Sequence, residues 1–157
     1  MSAIEKRLTE LGIVIPTPAK PLAAYTPAVK HGRLVFTAGQ LPLVEGKLVE
    51  PGGKGKVNGD RKEEAKKAAR VAAINTLAAV KSVIGDLDQI ERIIKVSVFV
   101  ASASGFVDQP FIANGASELY LEIFGDAGIH ARSAVGMAEL PFDASVEVEL
   151  IVGLKQA

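Results

Sequence analysis

The sequence predicts an α+β fold in which two long helices cover one face of a β-sheet. Three observations predict it. Strand and helix signals follow in the order β, β, α, β, α, β, β. Two stretches, 60–84 and 108–124, carry sustained helical spacing of apolar residues. The final stretch sets Val146, Val148, Leu150 and Val152 on one side of a strand and Glu147, Glu149 and Ile151 on the other. The valine side belongs to a core. Carboxylates beside an isoleucine fit neither a monomer core nor a fully solvated surface, and read as an oligomer interface with polar sites inside it.

The elements follow in order. Ser2 with Glu5, then Leu8, Leu11 and Ile13, reads as a short capped helix ended at Gly12. Four prolines between Pro16 and Pro27 mark an extended connector. Arg33 to Ala38 is a strand introduced by the His31-Gly32 turn, and Leu41 to Glu50 offers a second short strand around Gly46. Pro51 to Lys56 reads as the loosest part of the chain. Asp60 and Glu63 form a capping box for a helix through Val71, Ile74, Leu77 and Val80 that stops at Gly85. Ile93 to Val100 is a β-branched central strand with Ile94, Val96, Val98 and Val100 on one face. Asp108 caps a second helix through Phe111, Ile112, Leu119, Ile123 and Phe124, stopped at Gly125. Arg132 to Leu140 and Ser145 to Leu154 flank the turn Pro141 to Ala144 and read as a hairpin.

Length and composition narrow the function. A chain of 157 residues is the size of one domain. The absence of cysteine excludes a thiol nucleophile, disulfides and thiolate-bound zinc. The longest uncharged stretch, Val96 to Val107, is about 12 residues, too short to span a bilayer. Met1 to Leu11 lacks the apolar run of a secretory signal, so the cytoplasm is the expected compartment and no membrane partner is expected. Eighteen basic residues balance 18 acidic ones and aromatics make up 5%, which disfavours nucleic acid as a partner.

Most motifs have plain readings. The run Gly52 to Lys56 fails as a phosphate loop because Val57, not a hydroxyl residue, follows the lysine, and it reads as a solvated mobile loop. No GxGxxG points to a dinucleotide. His31 and His130 lie far apart, so no metal site is expected, and His130 reads as a surface or edge residue with a lesser claim as an acid or base near Arg132. No G-x-S-x-G elbow supports a serine nucleophile. Arg132 opens a strand after a loop, where a guanidinium can meet a carboxylate bidentately; taken alone it reads as half of a surface ion pair.

Three runs carry a resemblance. His130-Ala131-Arg132-Ser133-Ala134-Val135-Gly136, followed by Glu139-Leu140-Pro141 and Val146-Glu147-Val148-Glu149, resembles the signature of the RidA family, also called YjgF-like or endoribonuclease L-PSP proteins. Thr37-Ala38-Gly39-Gln40-Leu41-Pro42 and Lys95 to Val100 resemble two further family segments, so the likeness covers about residues 25 to 155. Residues 1–20 then read as an N-terminal extension of a single RidA-like domain. The resemblance implies a chorismate mutase-like fold with a mixed sheet, assembled as a homotrimer with sites between subunits. It also implies cofactor-independent, metal-free hydrolysis of enamines and imines such as 2-aminoacrylate to 2-oxo acids and ammonia. Arg132 matches the arginine that binds the substrate carboxylate, and Glu147 the glutamate that handles the attacking water. Tyr25 matches a pocket tyrosine, and Gly39 and Ala134 match backbone-contact positions. Ser117 stands where an asparagine is usual on the second helix, with Asn114 one turn earlier, and the resemblance implies that both contact the substrate. Ala38 stands where a hydroxyl is common, Ala134 where a cysteine is frequent, and His130 where a proline is usual.

In a tight terminal hairpin Arg132 faces approximately residue 153, which puts Glu147 about six residues, on the order of 20 Å, along the ladder. A shared ligand then requires two subunits. The alternatives to a deaminase are a non-catalytic, carboxylate-binding regulatory trimer and, disfavoured by charge and aromatic content, an endoribonuclease.

Overall fold

A computed structural model describes residues 2–18 and 24–156. The chain runs through α1 (Ala3–Glu10), β1 (Ala28–His31), β2 (Leu34–Thr37), β3 (Leu43–Val44), β4 (Lys47–Leu48), α2 (Lys62–Ile84), β5 (Ile90–Ala101), α3 (Gln109–Phe124), β6 (Ala131–Met137) and β7 (Val146–Leu154). Five strands form one sheet in the order β1-β2-β7-β5-β6, and β3 and β4 form a separate small hairpin. Only the β5–β6 pair is parallel, which makes the sheet mixed.

Alternation along the strands decides the layers. Val35, Val96, Val98, Val100, Val146, Val148, Leu150 and Val152 are buried beneath the helices. They pack with Leu77 of α2 and with Ile112, Leu119 and Ile123 of α3. Each such side chain contributes about 1.5–3 kcal/mol when fully buried. The opposite face carries Val29, Phe36, Ile94, Val135 and Met137, all exposed, around the half-buried Glu147 and Glu149. The mixed face read from the last strand thus extends across the whole sheet.

The helices approach closely because their contact is built from small residues. Ala65, Ala68, Ala69, Ala72 and Ala73 of α2 are buried, as are Ala113, Gly115 and Ala116 of α3. A Cβ on Gly115 would overlap the Lys66 carbonyl oxygen and press on the Ala69 methyl. Along the exposed seam Lys62–Asp108 (2.9 Å), Lys66–Glu118 (2.9 Å) and Arg70–Glu122 (2.6 Å) fix the register, each worth about 0–1 kcal/mol. Beneath the seam the Tyr120 hydroxyl meets Thr76 Oγ1 at 2.7 Å. Thr76 gives its own proton to the Ala73 carbonyl, so Tyr120 is the donor.

Several sequence expectations need correction. The terminal hairpin does not form: β6 is an edge strand beside β5, and β7 lies between β2 and β5. The β5–α3–β6 crossover is a parallel unit, and it carries β6 to the edge. Segment 51–57 is pinned rather than mobile. Lys54 bridges Ala144, the Ser145 hydroxyl donates to the Gly52 carbonyl, and Arg61 donates to the carbonyls of Lys54 and Lys56. Gly52 sits at φ 99 against the Glu64 backbone, a place only glycine fills without strain.

Asn58, not Asp60, caps the turn before α2, and the Asp108 carboxylate takes Lys62 instead of its own helix terminus. A bulge between Ile93 and Lys95 buries Ile93 and turns Ile94 to the open face. β1, too short to show alternation, was absent from the strands read in the sequence. The connector keeps no helix or strand at residues 13–18 and 24–27; residues 19–23 lie outside the described residues. Helix α1 is capped by Ser2 as read, and the Asp88 carboxylate also accepts from the amides of Ala3 (2.8 Å) and Ile4 (2.7 Å).

Gly115→Ala is expected to destabilise the fold by about 1–3 kcal/mol through overpacking. Urea unfolding would check this against Gly59→Ala, whose Cβ meets nothing within 4 Å and whose φ is not positive. Equal losses in both variants would contradict the close-approach account.

Candidate active site

The parallel β5–β6 pairing sets Arg132 level with Val96, so its side chain emerges on the helix face of the edge strand. There α3 meets it. Arg132 Nη1 donates to Asn114 Oδ1 (2.8 Å) and to Ser117 Oγ (3.1 Å), two residues three apart on one side of the helix. Both protons of Nη1 are thereby used. Among the described residues Nε and Nη2 have no protein acceptor, leaving one complete edge of the guanidinium fork for a carboxylate. The surface ion pair suggested by Arg132 alone is not what forms.

His130 belongs to the same cluster and is half-buried rather than a surface residue. Its Nδ1 lies 2.7 Å from the Gly128 carbonyl oxygen, which can only accept, so Nδ1 carries the proton. Nε2 is then an acceptor, and the Ser117 hydroxyl donates to it across 2.9 Å. A directed chain results, in which Arg132 donates to Ser117, Ser117 to Nε2, and Nδ1 to the backbone. Burial, and then the charge of Arg132, hold the His130 pKa below 6.5 against the opposing pull of the Gly128 carbonyl. The ring stands edge-on to Tyr120, 5.9 Å between centroids. Ser117, Glu118, Leu121, Ile129, His130 and Arg132 line an open cleft of about 300 Å³.

Glu147 occupies the other face. It pairs with Phe99, and its carboxylate lies against Gly39, where a Cβ would overlap Oε1. Backbone bonds between Gln40 and Val148 (2.8 and 2.9 Å) hold that approach. Burial, and then Glu149 on the same side of the strand, push the Glu147 pKa above its ordinary value.

Of the residues singled out in the sequence, the structure brings Arg132, Asn114 and Ser117 into one cluster and Glu147 and Gly39 into another. Arg132 lies level with Leu150 through Val96, so Glu147 is about 10 Å further along its strand, on the opposite face. The separation along the strand is about half that expected from a terminal hairpin, and the opposite faces separate the two residues as well. Tyr25 is exposed ahead of β1, at the sheet edge opposite β6. Ala134 lies level with Val98 on the helix face. Ala38 donates its amide to the Pro27 carbonyl (2.8 Å). His31 lies on β1, far from His130. The sequence reading missed the Ser117–His130 bond. Its signal was present: His130 shares a strand face with Arg132 two residues on, and Ser117 shares a helix face with Asn114. Among the described residues no three His, Asp or Glu side chains gather as a metal site, and no helix is long and apolar enough to cross a membrane.

The arrangement leaves one edge of an oriented guanidinium open on an α+β scaffold, and comparison with known proteins identifies the scaffold. Residues 5–154 match the family described as "YjgF/chorismate mutase-like, putative endoribonuclease". The chain belongs to this RidA/YjgF-like family and has its fold. It is 39% identical to protein TCP17 of Trypanosoma cruzi, covering 96% of this chain and 94% of that one. It is 31% identical to a 2-iminobutanoate/2-iminopropanoate deaminase of Dermatophagoides farinae, over 89% of this chain and 93% of that one. The crystal structure of Atu1372 from Agrobacterium tumefaciens is 44% identical, covers 96% and 91% of the two chains, and superposes with a TM-score of 0.84.

The depressed His130 pKa sets a pH dependence of stability. Between the folded value and 6.5 the unfolded chain binds a proton that the folded chain does not, so the stability tied to neutral His130 is complete above 6.5. It is lost as pH falls through the folded pKa. Glu147, with a raised folded pKa, changes stability in the opposite sense. The unfolding free energy of wild type minus that of His130→Gln is therefore expected to shrink as pH falls from 7.5 towards 5. A pH-independent difference in urea titrations would contradict the neutral, bonded imidazole.

Proposed function

We propose that the protein is a cofactor-independent deaminase of small enamines and imines of the 2-aminoacrylate type, forming 2-oxo acids and ammonia in the cytoplasm. The observation that carries this reading is the Arg132 fork, oriented by Asn114 and Ser117 with one edge left for a carboxylate. The 31% identical deaminase, named for two imino acids, supports the choice of chemistry. An imine carbon is already electrophilic, so the reaction calls for positioning, a water and proton management, and needs neither metal nor cofactor.

In this mechanism the enamine first tautomerises to the imine, whose carboxylate is held by Nε and Nη2 of Arg132. Glu147 takes a proton from water as the oxygen adds to the C=N carbon. Glu147 passes that proton to the imine nitrogen, giving the carbinolamine, and then moves the hydroxyl proton to the amine, so that the C–N bond breaks with its electron pair leaving on ammonia as the C–O bond becomes the 2-oxo group. A raised carboxylate pKa suits Glu147 to exchange protons nearer neutrality, where general acid-base help is worth about a hundred- to ten-thousand-fold. Because Arg132 and Glu147 occupy opposite faces of one chain, the reading includes a homotrimer in which Glu147 of a neighbouring subunit completes the site. The exposed apolar residues around Glu147 suit such burial.

A second reading, a carboxylate-binding regulatory trimer without turnover, is favoured by one observation: among the described residues no hydrogen bond orients the Glu147 carboxylate. RNA cleavage gains nothing from the geometry, since the two histidines sit at opposite sheet edges.

With 2-aminoacrylate generated in situ, wild type is expected to release ammonia faster than buffer. Arg132→Ala should abolish the difference without changing assembly size in gel filtration, and Glu147→Gln should lower kcat by about a hundred- to ten-thousand-fold. Wild-type rates equal to buffer would refute catalysis. Calorimetric binding of pyruvate without turnover would instead support the regulatory reading.

A further inference from the structure

We propose that Ser117 and His130 form a second, proton-coupled half of the anion site: when a carboxylate occupies Arg132, His130 takes up a proton and Ser117 turns its hydroxyl onto the ligand. The inference rests on the carboxylate reading of Arg132 and adds two ligand-side residues to it.

The hydrogen-bond directions carry the argument. Nε2 of His130 is an acceptor and holds the only proton Ser117 has, so in this arrangement that hydroxyl cannot serve a ligand. Protonation of Nε2 reverses this bond. Ser117 Oγ has two acceptor positions, one for Arg132 Nη1 and one for the new Nε2–H. Its own proton is then free to point into the cleft that Ser117, His130 and Arg132 all line. Nδ1 keeps its proton on the Gly128 carbonyl throughout. The single proton taken up comes from solvent, and no other bond is made or broken.

Charge supplies the coupling. Without a ligand, the half-buried imidazole faces the Arg132 guanidinium, and a second cation is unfavourable there. A bound carboxylate reverses that field. The other charged or titratable groups around the ring do not supply the compensation. Glu118 of α3 is committed to Lys66 at 2.9 Å. Tyr120 of α3 lies perpendicular to the ring while its hydroxyl is held by Thr76. Arg92 of β5 adds positive charge by donating to the Ile129 carbonyl (3.1 Å), and Asp126 meets this segment through its backbone carbonyl. The ligand is therefore the anion able to pay for a charged His130. By reciprocity, proton uptake and carboxylate binding strengthen each other.

The chain has only two histidines, which makes the test direct. Proton NMR of both imidazole Cε1–H resonances would be followed from pH 4.5 to 8.5, with and without saturating pyruvate. The His130 midpoint is expected below 6.5 in the free protein and about one unit or more higher with pyruvate. Calorimetry should show pyruvate affinity rising about tenfold per unit of that shift as pH falls through the window, and His130→Gln should bind pyruvate without this pH dependence. Pyruvate that binds without raising the His130 midpoint would overturn the inference and leave the Arg132 reading intact. Retained pH dependence in His130→Gln would do the same. Absence of pyruvate binding at every pH would overturn both.

Discussion

The close approach of α2 and α3 is the constraint on which the site depends. Gly115 lies against the Lys66 carbonyl, and its neighbours on α3, Asn114 and Ser117, are the residues that reach Arg132. A bulkier residue at 115 would lift α3 off α2 and move both partners away from β6. The alanines of α2, the row of ion pairs along the seam and the buried Tyr120–Thr76 bond all act on that same contact. Packing far from any ligand thus sets the direction of the guanidinium fork.

A second constraint is the alternation of the sheet. β7 must bury Val146, Val148, Leu150 and Val152, which leaves Glu147 and Glu149 on the open face. The parallel crossover places Arg132 on the helix face of the edge strand. One chain therefore carries an oriented guanidinium under α3 and a pair of carboxylates on the open face among exposed apolar residues. Their environments differ in a useful way: burial beside a cation keeps His130 neutral, while burial beside another carboxylate raises Glu147.

Much of this was legible in the sequence because it rests on periodicity. The two helices, the central strand and the two-sided last strand are local patterns, and the HARSAVG, TAGQLP and VEVE runs carried the family. The failures were non-local. Nothing in the turn Pro141 to Ala144 tells that its flanking strands separate, because strand partners are chosen by the α3 crossover and by the segment 51–57 pinned beside Ala144 and Ser145. The same segment looks loose by composition, yet Gly52 and Gly53 answer close approach of the Glu64 and Val49 backbone. Asp60 and Asp108 fit a capping pattern that Asn58 and Lys62 displace. Asn114 and Ser117 stood out from the resemblance as ligand-side positions on α3, whereas their bonds to Arg132 and the role of His130 needed the distances.

In the proposed trimer Arg132 and Glu147 act together across a subunit boundary. Mixing Arg132→Ala with Glu147→Gln subunits, unfolding and refolding them together, and assaying ammonia release tests it most directly. Random assembly of equal amounts should restore roughly a quarter of wild-type sites, each with an intact arginine and an intact glutamate from different chains. A mixture no more active than the two variants refolded separately would contradict the claim.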